Sequence, residues 1–173
     1  MLWDGKAVLR CWPMEVTVAG RAYRLGPRPA LDWLDPLLRL DWLAIVPGWA
    51  DEAEALDDLL FDGGATSGEL TAAARDATTL AAGVPWWVAV RLMSLIAEQP
   101  VLLAPVSRLD WTTAPLGQVL VTAYEVWTRH ADRKKRDQFD STLQQPPAEV
   151  TAADRYDPQV AADLFEQAFS ARS

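Results

Sequence analysis

Residues Gly83 to Glu98 read GVPWWVAVRLMSLIAE, and this stretch decides the fold. Gly83 reads as a helix stop, since glycine takes the left-handed conformation of a C-cap, and Pro85 as a helix start, since proline fits a first turn. Between Trp86 and Glu98 only Arg91, Ser94 and Glu98 are polar, a narrow line on an otherwise apolar cylinder. A helix apolar nearly all round is expected at the centre of a small helical domain. The apolar run from Pro85 to Ala97 is interrupted by Arg91 and is too short to span a bilayer.

Working upstream, Thr66 or Ser67 can cap a helix that runs to Ala82. Leu70, Ala73, Ala74, Ala77, Leu80 and Ala81 follow the 3.6-residue repeat on one face. Small residues there let a neighbouring helix approach closely. Asp51 to Phe61 predicts another helix, with acids in its first turns, an apolar stripe of Ala53, Leu56, Leu59 and Leu60, and Gly63-Gly64 as its end. Asp35-Pro36 predicts a short helix starting at Pro36 and running to about Ile45, stopped by Pro47-Gly48. Before it, Met14 to Val18 alternates apolar and polar residues, Gly20-Arg21 suits a two-residue turn, and Tyr23 and Leu25 resume the apolar face. Ala7 to Trp12 reads as an added third strand.

Working downstream, Leu116, Val119, Leu120, Ala123 and Trp127 share one face of a helix from Leu116 to Arg129, and Arg133 to Leu143 forms the next. Gln144-Gln145-Pro146-Pro147 breaks the pattern. Asp157-Pro158 opens a last helix with Val160, Ala161, Leu164, Phe165, Ala168 and Phe169 on its apolar face. At about three turns it is too short to stand alone in water. It must pack on its own core, on a second copy or on another protein. The expected fold is therefore mostly α: a small N-terminal β-hairpin (1–26) packed on a five- or six-helix bundle (27–145), then a proline-containing linker and a short C-terminal helix (146–173).

The chain of 173 residues carries a formal charge of −8. That argues against a nucleic-acid role, which needs a basic face, and against an anionic membrane surface. It favours solubility. Cys11 is the single cysteine, so no intrachain disulfide is available and a reducing compartment fits. The N-terminal MLWDGKAVLRCW lacks the basic and apolar regions of a secretory signal. Nine tryptophans against three tyrosines are more than a small core readily holds, so some are expected at the surface or at an interface.

Catalytic and metal chemistry finds little support. In Gly63 to Gly68 a phosphate-binding loop would continue with Lys and Ser or Thr, and Glu69 and Leu70 stand there instead. His130 is the single histidine and reads as a helix C-terminal cap. The acids between Asp51 and Asp62 lack calcium-loop spacing and read as a solvated face or a contact to a basic partner. Arg133-Lys134-Lys135-Arg136, flanked by Asp132 and Asp137, reads as a solvated helix start or a contact to an acidic partner. No cofactor and no metal are expected. Trp86 and Trp87 are 100° apart on a helix. Either both rings pack inside, or Trp87, in line with Arg91, edges a binding surface. Trp87, Arg91, Trp111 and Phe139 are the partner-binding candidates of the core, with Phe165 and Phe169 in the C-terminal helix.

The strand pair ending in GRAYRL, the segment DWLAIVPGW, the acidic helix, GVPWWVAVRLMSLIA and RDQFDSTLQQPP occur in an order that resembles the tail assembly chaperones of long-tailed (siphovirus-type) actinobacterial phages, over Val16 to Pro147. The resemblance implies a non-enzymatic protein of the host cytoplasm. Such a protein binds the tape measure protein, keeps it soluble and helps recruit tail tube protein around it. A homo-oligomer is a further expectation. The alternatives are a structural phage protein, such as a head-tail connector or minor tail component, and an unrelated enzyme or regulator.

Overall fold

The computed structural model describes residues 13–99, 104–148 and 150. It is mostly helical, with an N-terminal two-stranded hairpin. The expected third strand at Ala7 to Trp12 and the C-terminal helix bearing Phe165 and Phe169 lie outside the described residues. The chain divides into two compact units, Met1–Leu143 and Gln144–Ser173. In the second, Val150 N donates to Pro147 O at 3.0 Å, closing a turn after the paired prolines.

Strands β1 (Met14–Val18) and β2 (Arg21–Leu25) pair antiparallel, with Val16 opposite Tyr23 and Val18 opposite Arg21. The loop is therefore Ala19-Gly20, not Gly20-Arg21. Both loop residues have positive φ, 50° and 75°, as the turn that matches strand twist requires. This one-residue correction moves every cross-strand pairing by two positions. It leaves Val16, Val18, Tyr23 and Leu25 on one buried face, so the alternation alone could not choose between the two turns.

Helix α1 runs Ala30–Arg39 and contains Pro36, where the sequence placed a start. The earlier start is imposed from far along the chain: Ala30 N donates to Ala114 O at 2.7 Å and Leu31 N to Trp111 O at 3.0 Å. These carbonyls satisfy donors that a helix start leaves open. Trp33 and Leu37, one turn apart, are fully buried and hold the helix through its proline. After a left-handed Leu40 (φ 55°) and a 3₁₀ turn at Trp42–Ala44, α2 spans Ile45–Trp49 and passes through Pro47-Gly48. Pro47 sits in the first turn of α2, where its missing N–H costs no bond, so it does not stop the helix. Ala50 bridges to Leu25, and Asp51 N donates to Arg24 O. Held this way, Asp51 and Glu52 lie outside α3, which begins at Ala53 and ends at Phe61. Asp51 and Glu52 instead pair with Arg24 and Arg21 of the hairpin.

Thr66 caps α4 (Ser67–Ala82) in a full capping box with Glu69: Glu69 N donates to the Thr66 hydroxyl and the Glu69 carboxylate accepts from Thr66 N. The bonds to Thr66 hold the Glu69 carboxyl below its usual range. Gly83, at φ 67°, closes the helix, and α5 runs Trp86–Glu98 as its sequence predicts. The two helices bend by 69° across this joint. The Thr79 hydroxyl bridges it, donating to Arg75 O and accepting from Trp86 N. No single helix among the described residues is long and apolar enough to cross a membrane.

Helix α5 packs against α1, α4 and α6 (Leu116–Thr128), with Val88, Ala89, Leu92, Met93 and Ile96 buried. The short alanines of α4 face β1 and α5, but Leu80, expected on that face, is half exposed to solvent. Trp127 on α6 is likewise on the surface, while Tyr124 and Thr128 take the inner face. Helix α7 spans Arg133–Gln144, and its buried residue is Leu143.

Candidate partner-binding surface

The line drawn through Trp87, Arg91, Ser94 and Glu98 meets α7. Arg91 Nη1 donates to Thr142 O at 2.7 Å and to Leu143 O at 3.0 Å. A guanidinium at the last carbonyls of a helix answers both their open acceptors and the negative end of the dipole. Arg91 therefore closes α7, and this role is filled by a residue 51 positions away. Arg136 does the same for α6, donating from Nη2 to Thr128 O at 3.1 Å. His130, expected to cap that end, lies exposed just beyond it.

Trp87 is half-buried, its ring edge-on to Trp86 at 5.7 Å. Trp86 in turn stands against Trp42 at 5.2 Å, and the Arg75 guanidinium lies over both rings, 4.3 Å from Trp86 and 5.6 Å from Trp42. The Trp86-Trp87 pair thus belongs to a cation–aromatic cluster that joins α4, α5 and the 3₁₀ turn.

Trp111 belongs to a loop. Its indole N–H donates to Val106 O at 3.1 Å, and its carbonyl caps α1. The loop is tied by Asp110, whose carboxylate accepts from Thr112 and Thr113; these bonds hold its carboxyl below the usual range. Phe139 is half-buried between Tyr124 and Trp127, 6.1 Å from each ring. Beside it the Tyr124 hydroxyl donates to Asp140 at 2.6 Å. Burial, then this bond and the neighbouring carboxylate charge, push the Tyr124 phenol up to about 12. Arg91 and Phe139 therefore both bear on α7, whereas Trp111 serves the start of α1.

The surface that the motifs did not single out is apolar. Leu31, Leu38, Leu40 and Leu43 are each 40% or more exposed, and Phe61 at the end of α3 is 90% exposed. The signal of the four leucines is present in ALDWLDPLLRLDWL, residues 30–43. At 100° per residue, Ala30, Leu31, Trp33, Leu34, Leu37 and Leu38 cover an arc of about 160° on α1. The core takes Ala30, Trp33 and Leu37 and leaves Leu31 and Leu38 at the outer margin.

Among the described residues no group of three His, Cys, Asp or Glu side chains is arranged to hold a metal ion. No family model, curated protein or solved structure matches the chain.

Proposed function

We propose that this chain is a non-enzymatic binding protein, a tail assembly chaperone of a long-tailed actinobacterial phage that holds the tape measure protein in solution while tail tube protein assembles around it. The observation that carries the binding role is the set of exposed leucines at 31, 38, 40 and 43, on a chain of net charge −8. Exposed apolar area of this kind suits the capture of a sticky partner, and the acidic remainder keeps the complex dissolved. The phage assignment rests on the order of GRAYRL, DWLAIVPGW, GVPWWVAVRLMSLIA and RDQFDSTLQQPP, and the place of action it implies is the host cytoplasm.

Co-expression with the cognate tape measure protein tests the proposal. The expected result is more soluble tape measure protein and a complex that survives pull-down. Replacing Leu31 and Leu38 together by aspartate should weaken both while the helical circular dichroism is kept. Equal soluble yield with and without this chain, and no complex, would sink the assignment. Recovery of the chain from purified particles at fixed copy number would favour a connector or minor tail component instead.

A further inference from the structure

The hairpin has two outer edges, and they are treated differently. The pair beside the two-residue loop, Val18 and Arg21, exchanges backbone hydrogen bonds, and such pairs alternate with unbonded ones. Val16 with Tyr23 and Met14 with Leu25 then belong to the bonded class, and Thr17 with Ala22 and Glu15 with Arg24 to the other. Residues of the second class turn their N–H and C=O groups outward. On the β2 side this outward edge is used: Arg24 O accepts from Asp51 N at 2.8 Å, and Ala50 bridges to Leu25. On the β1 side, among the described residues, no backbone bond from outside the hairpin reaches Glu15 or Thr17.

A groove of about 320 Å³ lies along that edge, lined by Glu15, Val16 and Thr17 of β1 and by Asp76, Thr79 and Leu80 of α4. Consecutive strand residues point to opposite faces, so a groove touched by three in a row follows the strand's edge. Its lining is chemically mixed. Glu15 and Asp76 make no ion pair among the described residues, and Leu80 is 52% exposed. Backbone donors and acceptors, two carboxylates without an ion pair among the described residues and an apolar side chain line this edge.

We propose that the outer edge of β1 is a docking strand for an extended, basic peptide segment of a partner protein, which joins the hairpin as a third strand. Its backbone pairs with Glu15 and Thr17. A lysine or arginine meets Glu15 and Asp76, and an apolar side chain covers Leu80. Main-chain pairing supplies affinity and the alternate side chains supply selectivity. The proposal goes beyond the chaperone reading and does not depend on it.

The test uses the full chain and a labelled peptide of alternating lysine and valine, followed by fluorescence anisotropy and by amide hydrogen exchange. The peptide is expected to bind and to slow exchange at the Glu15 and Thr17 amides, leaving Val16 and Val18 unchanged. A glutamate–valine peptide should not bind. Thr17→Pro removes an outward N–H without touching the bonds to β2 and should weaken binding about tenfold, the loss of one backbone bond in a small interface. If that variant unfolds, Asp76→Lys gives the same information by weakening the lysine peptide and admitting the glutamate one. The idea is overturned if the lysine–valine peptide fails to bind, or if it binds while both amides still exchange freely. It is equally overturned if those amides are already protected in the peptide-free chain, because the edge would then be covered.

Discussion

Replacing Arg91 by methionine separates its structural role from the partner-anchoring role that its sequence context suggests. Methionine keeps most of the apolar stem and removes the guanidinium, so packing along α5 changes little. Among the bonds lost are two charge-assisted ones, at 2.7 and 3.0 Å to Thr142 O and Leu143 O. Bonds to charged groups contribute about 1.5–3 kcal/mol when well buried, but the Thr142 end is exposed and water replaces much of its share. The interaction with the helix dipole adds about 0.3–1 kcal/mol. The expected net loss is about 1–2.5 kcal/mol, a fall in Tm of about 3–8 °C for a chain of this length. Thermal melts read the size of the loss, and amide exchange its place: the last turn of α7, which anchors Leu143, should exchange faster while α4 does not. An Arg91→Met protein that melts with the wild type yet fails to bind its partner would refute the capping assignment.

Two further substitutions probe the interior. Leu92→Ala empties a fully buried position on α5 and should destabilise by about 3–5 kcal/mol, whereas Leu95→Ala, at a half-buried position, should lose less than half as much; equal effects in urea melts would contradict the central placement of this helix. Tyr124 predicts an alkaline limb of stability. Its folded pKa is raised from 10.0 to about 12, so its contribution is complete below pH 10 and is lost as pH rises through 12. The stability difference between wild type and Tyr124→Phe should be constant below pH 10 and shrink above it; a difference that does not change with pH refutes the role of the phenol.

What the sequence made legible is local. The bounds of α5, a helix start capped at Thr66 or Ser67 and the buried set Val16, Val18, Tyr23 and Leu25 each depend on residues within a turn or one strand pair. What it hid is set by partners far along the chain. Helix α1 begins at Ala30 because Ala114 and Trp111 offer carbonyls there, and nothing near Pro29 announces them. Arg91 looked like a surface anchor because the acceptors it reaches are 51 and 52 residues away. The turn was misplaced for a different reason. Ala19 adopts a positive φ that disfavours any residue with a Cβ, and the surrounding sheet enforces it.

The two proposed surfaces lie on different elements and use different physics, so they can be separated. The leucines of α1 and the turn after it offer area without direction, which suits an apolar partner of loosely defined sequence. The edge of β1 offers direction with little area, which suits one extended segment in one register. Leu31 and Leu38 sit on a helix whose inner face is already closed by Trp33 and Leu37, so aspartate at the outer positions need not disturb the core. Thr17 faces outward from a strand whose inward bonds run through Val16 and Val18. A protein altered at the leucines should keep its affinity for the lysine–valine peptide and lose its hold on an apolar client. One altered at Thr17 should do the reverse. If either change abolished both activities, the two surfaces would be one, and a client would have to enter along the strand before it reached the helix.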